Sequence, residues 1–423
     1  MKAHTSNELA GIADGDAFTA GDRLAVAPAG AFRLLFFCLV CVGMGQSMLF
    51  SILPPAARVI GLSPFQVSTI FATSASIWVF VSPWWGRRSD VTGRRKVILI
   101  GLLGFALSMT LLATVIEAGV HRWLPPLIVY PLMVASRSVF ALVGSGTGPA
   151  SQAYVADRTS RMERTAGVAL VNAAMGLGET VGPGLGAALA VIGLLAPVYF
   201  SAGLAVVSAL TIWRFLPEDG PPHSKSVERP RTLSVRDPRV LPFLLVSTSL
   251  QAVRATTVIT LAFFLQDTLG LTSQQTVQYS GIGFVTLAVA GLFAQLVIVQ
   301  RFQPSPRWLM RVGTAMMVAA FALFAVGSGY GAVVVALALL GLGLGFVRPG
   351  AAAGASLSVT PREQGSVAGV VGGVAVIGNV FGPMLGTSLY ELRHTAPFLL
   401  NGAIMTAVLV LVFASRRLRS ARV

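Results

Sequence analysis

The chain has 423 residues, of which 54% are hydrophobic and 11% charged, with a formal net charge of +15. Ordinary soluble domains carry roughly a quarter of charged residues, so this composition excludes a soluble enzyme and sends the surplus apolar surface into lipid. The basic excess does not mark a nucleic-acid binder either, because its cations stand in short clusters between apolar runs instead of along one polar face.

Residues 1–33 are polar, with Glu8, Asp14, Asp16 and Asp22 and no apolar core of a signal peptide, and are expected to form a cytoplasmic tail. Twelve apolar stretches follow, each close to the ~20 residues that cross a bilayer as a helix. They fall at 34–55, 66–86, 97–116, 125–156, 166–192 and 195–213, then at 241–266, 278–300, 312–329, 332–357, 366–390 and 396–415. Cys38 and Cys41 lie within the first stretch and read as small apolar residues, which leaves neither a disulfide framework nor a zinc site. Trp84, Trp85, Trp123, Trp213 and Trp308 fall at span ends, where amphipathic rings prefer to lie. The polar segment 214–240 holds Pro217, Pro221, Pro222, Pro230 and Pro238 and reads as a cytoplasmic linker. The expected fold is therefore an all-α membrane protein of twelve transmembrane helices. Two pseudo-symmetric six-helix bundles, 34–213 and 241–415, are joined by that linker, and the chain ends in a cytoplasmic tail, 416–423.

The distribution of cations orients this arrangement. Of the 31 Lys and Arg, 25 fall in the tails and in alternate loops, three (Arg58, Arg122 and Arg393) in the opposite loops, and three within spans. The split predicts a multi-pass protein of the cytoplasmic, or inner, membrane with both termini in the cytoplasm. The same clusters would rest against anionic headgroups of the lipid bilayer, so no nucleic acid is needed to explain them. A monomer is expected.

The halves echo each other at an offset of 200 residues. Gly178, Gly182, Pro183, Leu185 and Gly186 match Gly378, Gly382, Pro383, Leu385 and Gly386, while Pro149 matches Pro349 and Glu163 matches Glu363. A second echo, at an offset of 209, aligns the six residues from Gly61 to Gln66 with those from Gly270 to Gln275. Duplicated halves imply a transporter that rocks one bundle against the other about a site at the midplane.

Three motifs carry mechanism. The loop Gly86-Arg87-Arg88-Ser89-Asp90-Val91-Thr92-Gly93-Arg94-Arg95-Lys96 joins the second and third spans through a glycine turn dense in cations. It resembles the signature loop of the major facilitator superfamily, and the resemblance implies that Gly86, Asp90, Gly93 and Arg94 form a conformational latch. The fourth span ends Ala153-Tyr154-Val155-Ala156-Asp157, similar to the tetracycline-exporter-like drug–proton antiporters, which makes Arg137 earlier in that span the candidate for proton coupling. In the fifth span Gly178, Gly182, Pro183 and Gly186 resemble the antiporter motif. Small residues every fourth position let helices meet backbone to backbone, so static packing is an alternative. The resemblance extends from 34 to 415.

Four formal charges fall within spans: Arg137, Glu179, Arg254 and Arg348. On insertion scales each costs about 2.5–3.5 kcal/mol, so together they cost on the order of ten kcal/mol and should face a wet cavity or one another. An Arg137–Glu179 pair is expected, either as a proton-coupling device in which Glu179 titrates or as a permanent ion pair. Asn379 occupies the repeat-related position of Glu179, and Asn172 shares its helix face. Arg254 and Arg348 would give the cavity an affinity for anions. Gln46, Ser47, Ser249 and Gln251 could line it or serve helix packing.

A membrane-embedded enzyme is the rival class, but His4, His121, His223 and His394 all fall in tails or loops, and no Walker-type loop is present. The chain reads as a non-enzymatic secondary transporter that needs neither cofactor nor metal. Its partners are protons and a small-molecule substrate, a drug or an anionic metabolite such as a siderophore, moved outward by alternating access. An importer or facilitator of the same architecture is the alternative.

Overall fold

The structure, a computed structural model, describes residues 29–159, 164–217, 234–360 and 363–415. Most of the expected N-terminal tail and linker, the C-terminal tail and the repeat residue Glu163 lie outside these. The described residues form twelve helical rods. The first six are α1 (Ala29–Ile60), α2 (Pro64–Thr92), α3 (Arg94–Val120), α4 (Pro126–Asp157), α5 (Arg164–Leu189) and α6 (Ala196–Phe215). The second six are α7 (Leu241–Leu269), α8 (Ser273–Phe302), α9 (Pro306–Val326), α10 (Gly329–Leu357), α11 (Gln364–Leu392) and α12 (Ala396–Ala414). A 3-10 turn at Gly144–Gly146 interrupts α4, and a π-helical stretch, Ala294–Val299, interrupts α8.

Ten rods are long and apolar enough to cross a membrane. The other two, α5 and α11, have 26 and 29 residues. Most rods outrun their apolar stretches. Helical hydrogen bonding continues into flanking polar residues, so α1 begins at Ala29 and takes in Arg33. Large apolar side chains such as Phe80, Leu127 and Ile192 stand exposed, an arrangement suited to lipid and costly in water.

The two halves repeat the same packing. In the first, α1 lies on α5 and α3 on α4 and α6; in the second, α7 lies on α11 and α9 on α10 and α12. The glycine echo explains the α1–α5 and α7–α11 pairs. Gly178 and Gly182 face the α1 backbone at Val40 and Met44, while Gly378 and Gly382 face the α7 backbone at Thr248 and Ala252. The second echo is equally local. Gly61 and Gly270 both take positive φ, 93° and 63°, to end α1 and α7. Ser63 with Gln66 and Thr272 with Gln275 then form capping boxes that start α2 and α8.

The halves meet through α5 and α8, through α2 and α11, and through α1 with α7 and α8. The end that carries the α6–α7 connection is termed here the linker end, and the other the distal end. Inter-half bonds cluster at the distal end. Arg58 pairs with Asp267, the Phe65 amide donates to Glu391 at 3.1 Å, and Thr387 Oγ1 bonds Ser68 Oγ at 2.8 Å. Gln274 Nε2 donates to the Ala190 carbonyl at 3.1 Å. Burial along α5 follows the same asymmetry. Its distal part buries Gly182, Pro183, Gly186, Ala187 and Ala190, whereas nearer the linker end Ala169, Leu170, Asn172, Ala173, Gly176 and Leu177 are exposed. The halves are closed at the distal end and part toward the linker end.

Candidate functional site

Arg137, on α4, is only 4% exposed. Its Nη2 donates to Gln46 Oε1 of α1 at 2.8 Å, and the guanidinium carbon lies 6.0 Å from the Phe71 ring and 5.3 Å from the Phe140 ring. Its Nε and Nη1 reach no acceptor among the described residues, nor does Gln46 Nε2. A full positive charge is thus held in an aromatic box by one neutral amide. Cation–π attraction offsets part of the desolvation, but a buried guanidinium with open donors remains a strained arrangement.

The expected Arg137–Glu179 ion pair is not formed. Glu179 is exposed on α5, and its backbone nitrogen lies against Gly43 of α1, one turn from Gln46. Arg137 is held instead by Gln46, a neutral side chain of α1. Similar depth along two helices does not fix which side chains meet.

The remaining residues expected to line the cavity are dispersed. Asn172 is exposed and accepts from Gln152 Nε2 of α4 at 3.2 Å. Gln251 and Asn379 are half-buried on the packed pair α7 and α11, and Gln251 Cβ lies beside Gly378. Arg254 is half-buried and Arg348 exposed, and neither pairs with a carboxylate among the described residues. Of the antiporter-motif residues, Gly178, Gly182 and Gly186 all pack on α1, with Ser47 Oγ bonding the Gly178 carbonyl at 3.4 Å. Pro183 faces Gly281 of α8 across the inter-half contact.

The four residues expected to form a latch lie close together around the α2–α3 turn. Gly93 takes φ 96°, which ends α2 and starts α3 in one residue. Gly86 lies beside Pro149 of α4, where an added Cβ would stand 3.7 Å away. Arg94 is the hub: it pairs with Asp90 at 2.5 Å and with Asp157 of α4 at 3.0 Å, and bonds Ser89 Oγ. Asp157, which the sequence reading quoted only as part of a motif, is thus the partner that ties the latch to α4. A second linker-end cluster, in the second half, joins different elements. Arg239 bridges Asp237 and Glu363, and Glu363 also accepts from the Thr360 amide at 3.0 Å. That amide first, and Arg239 second, hold the Glu363 carboxyl below its ordinary value.

A further cluster, which no sequence motif marks, lies at the distal end. Arg58, Asp267, Tyr390 and His394 gather there, and the only signal for it was the 209-residue echo, which places Arg58 and Asp267 in register. A shallow cavity of about 480 Å³ beside it is lined by Phe264, Phe324, Glu391 and His394 and is remote from Arg137.

Comparison with known proteins accords with this architecture. A family model, the Major Facilitator Superfamily, matches residues 35–372 and 298–422. Multidrug resistance protein 2 of Bacillus subtilis is 26% identical over 389 residues, spanning 88% of this chain and 92% of its own. The quinolone resistance protein NorA of Staphylococcus aureus is 20% identical over 394 residues, spanning 92% and 97%. Among solved structures, the nucleoside transporter NupG superposes with a TM-score of 0.70 at 14% identity, covering 91% of this chain and 99% of its own. The human organic anion transporter MFSD10 does so at 0.62 and 21%, covering 90% and 98%. Twelve helical rods in two repeated halves, ten of them long and apolar enough to cross a membrane, and a family match along almost the whole length identify the chain as a membrane transporter, not an enzyme, that belongs to the Major Facilitator Superfamily.

Proposed function

We propose that this chain is a proton-coupled exporter of small organic molecules, with its termini in the cytoplasm and a cleft that accepts anionic as well as neutral compounds. The orientation rests on the 25-to-3 split of cations, which assigns the linker end to the cytoplasmic side. The cleft then opens inward, the state that loads an exported substrate. The multidrug and quinolone resistance relatives support efflux. The structural neighbours include transporters of nucleosides and organic anions, so no substrate carries over from them.

One observation carries the coupling: Arg137 is a buried guanidinium with donors unfilled among the described residues, held by Gln46 of α1, and an accessible carboxylate, Glu179 of α5, sits against the same stretch of α1 at Gly43. An ionised Glu179 offsets that charge, and a protonated one does not. Proton uptake therefore changes the relative energy of the two cleft states, which is what coupling requires. Arg254 and Arg348, which have no carboxylate partner among the described residues, supply the attraction for an anionic group.

The test is luminal pH in proteoliposomes holding a proton gradient, challenged with carboxylate metabolites, siderophores and cationic drugs. Proton movement on adding one class, abolished by Glu179→Gln with the fold intact, is the expected result. Substrate flux without proton movement would make the chain a facilitator and leave Glu179 uninvolved.

A further inference from the structure

We infer that Arg58, Asp267 and Tyr390 are the gating residues that hold the distal end shut and must part once in each transport cycle. Donors on two helices, one from each half, converge on one oxygen of a third. Arg58 Nη2 of α1 reaches Asp267 Oδ2 of α7 at 2.5 Å, and Tyr390 OH of α11 donates to the same oxygen at 2.7 Å. His394 Nε2 stands 3.8 Å from that oxygen. Aromatic rings wall the cluster, with the Arg58 guanidinium carbon 5.3 Å from the Phe263 ring and Tyr390 stacked on His394 at 5.0 Å.

The division of partners between the halves makes this a gate instead of a permanent strut. When the distal end opens, Arg58 leaves with α1, whereas Asp267 and Tyr390 stay together in the second half. Tyr390 keeps the carboxylate hydrogen-bonded and aimed, so opening strips one partner from Asp267 and not two. The ion pair is also partly wet, with side chains 35% and 21% exposed, so water can replace each partner as it leaves. A fully buried pair would lock the transporter.

The other inter-half bonds at this end differ in kind. The Phe65 amide donates to Glu391 and Gln274 donates to the Ala190 and Val191 carbonyls, so each of these bonds involves a backbone group. Ser68 and Thr387 form a neutral hydroxyl pair. Arg58–Asp267 is the inter-half contact here that joins two opposite full charges.

The inference uses alternating access but neither the direction of transport nor the identity of the substrate, so it stands if proton coupling fails. Its test is the distance between spin labels at Ile192 and Val326, exposed distal positions of the two halves, in the full-length protein in lipid nanodiscs with Cys38 and Cys41 replaced. Loss of the pair should raise the distal-open population about fivefold, the factor that one modest ion pair supports. Arg58→Gln, Asp267→Asn and the double variant should shift it equally, because removing either partner abolishes the same interaction. Tyr390→Phe should shift it less, and Arg58→Lys should stay near the parent. Unchanged distances in the single variants, or additive shifts in the double, would overturn the assignment. Should a single variant not fold, the exchange of Arg58→Asp with Asp267→Arg decides: recovery of the closed distance supports the gate, and its absence refutes it.

Discussion

Arg58 and Asp267 form an ion pair across the two halves from positions 209 residues apart, the separation that relates Gly61 to Gly270 and Ser63 to Thr272. They therefore occupy the same place in the two repeats, three residues before the glycine that ends α1 or α7. The duplicated backbone is preserved in both positive-φ glycines and both capping boxes. The charge is not. Two like charges at this place would repel each other at close range, and divergence to opposite signs turns a symmetric meeting point into an attractive one.

The latch around Arg94 should depend unequally on its two carboxylates. Asp157 is the less exposed partner, at 34% against 54% for Asp90, and it is the one that bridges to α4. Asp157→Asn should cost about 1 kcal/mol and Asp90→Asn a few tenths, in line with the modest worth of ion pairs that water can reach. Thermal unfolding of the detergent-purified variants measures both. Equal losses would show that the i,i+4 pair within the α2–α3 turn matters as much as the bridge between helices.

The glycines of the fifth span should separate into two kinds. At Gly182 a Cβ would meet the Met44 carbonyl at 2.5 Å as well as Ser47 Oγ, and backbone cannot yield cheaply. Gly182→Ala should destabilise by about 1–3 kcal/mol, the usual cost of overpacking. At Gly186 the nearest atom is Met48 Cγ at 3.2 Å, a flexible side chain that can give way. Gly186→Ala should leave both the melting temperature and the expression level near the parent. Equal sensitivity of the two sites would mean that their freedom to bend, and not close packing on α1, is what matters.

Much of the architecture was legible because hydrophobicity and charge each report it separately. Apolar length marks the spans, cation clusters mark one end, and the Gly178 and Gly378 repeats mark the close helix pairs. The site was less legible, because side-chain pairing depends on how the helices are rotated and packed. Arg137 and Glu179 share neither a helix nor a loop, so similar depth suggests a pair where Gln46 of α1 takes the arginine. The latch was found through Asp90, but its bridge to Asp157 lies 63 residues from Arg94. Arg58 looked like an ordinary loop cation, since only the folded chain brings α1, α7 and α11 to one carboxylate.

The linker-end cluster of the second half should respond to acid. Glu363 has its pKa lowered by the Thr360 amide and by Arg239, so its bonds contribute stability above the unfolded-state value. That contribution fades as pH falls through the lowered folded-state value. Glu363→Gln should therefore melt earlier than the parent near pH 7, with the gap narrowing below about pH 4, where an unfolded carboxylate takes up its proton. A gap that stays constant down to about pH 3 would mean that the amide shape of glutamine, and not the missing charge, causes the loss.

Gln46 should be the most informative position in the cleft wall, because it supplies the acceptor that holds the buried guanidinium of Arg137. Gln46→Leu removes that acceptor while keeping bulk, and should cost about 1.5–3 kcal/mol, the worth of a hydrogen bond to a charged group. Gln46→Glu acts in the opposite direction. A carboxylate at that place pairs with Arg137 inside the Phe71 and Phe140 box, neutralises the uncompensated charge and should raise the melting temperature. It should also slow turnover, since an Arg137 already paired no longer responds to the protonation of Glu179. Transport and melting measured together on the two variants distinguish the roles. If Arg137 only stabilises the fold, activity follows stability and Gln46→Glu is at least as active as the parent; if it couples, the more stable variant is the slower one.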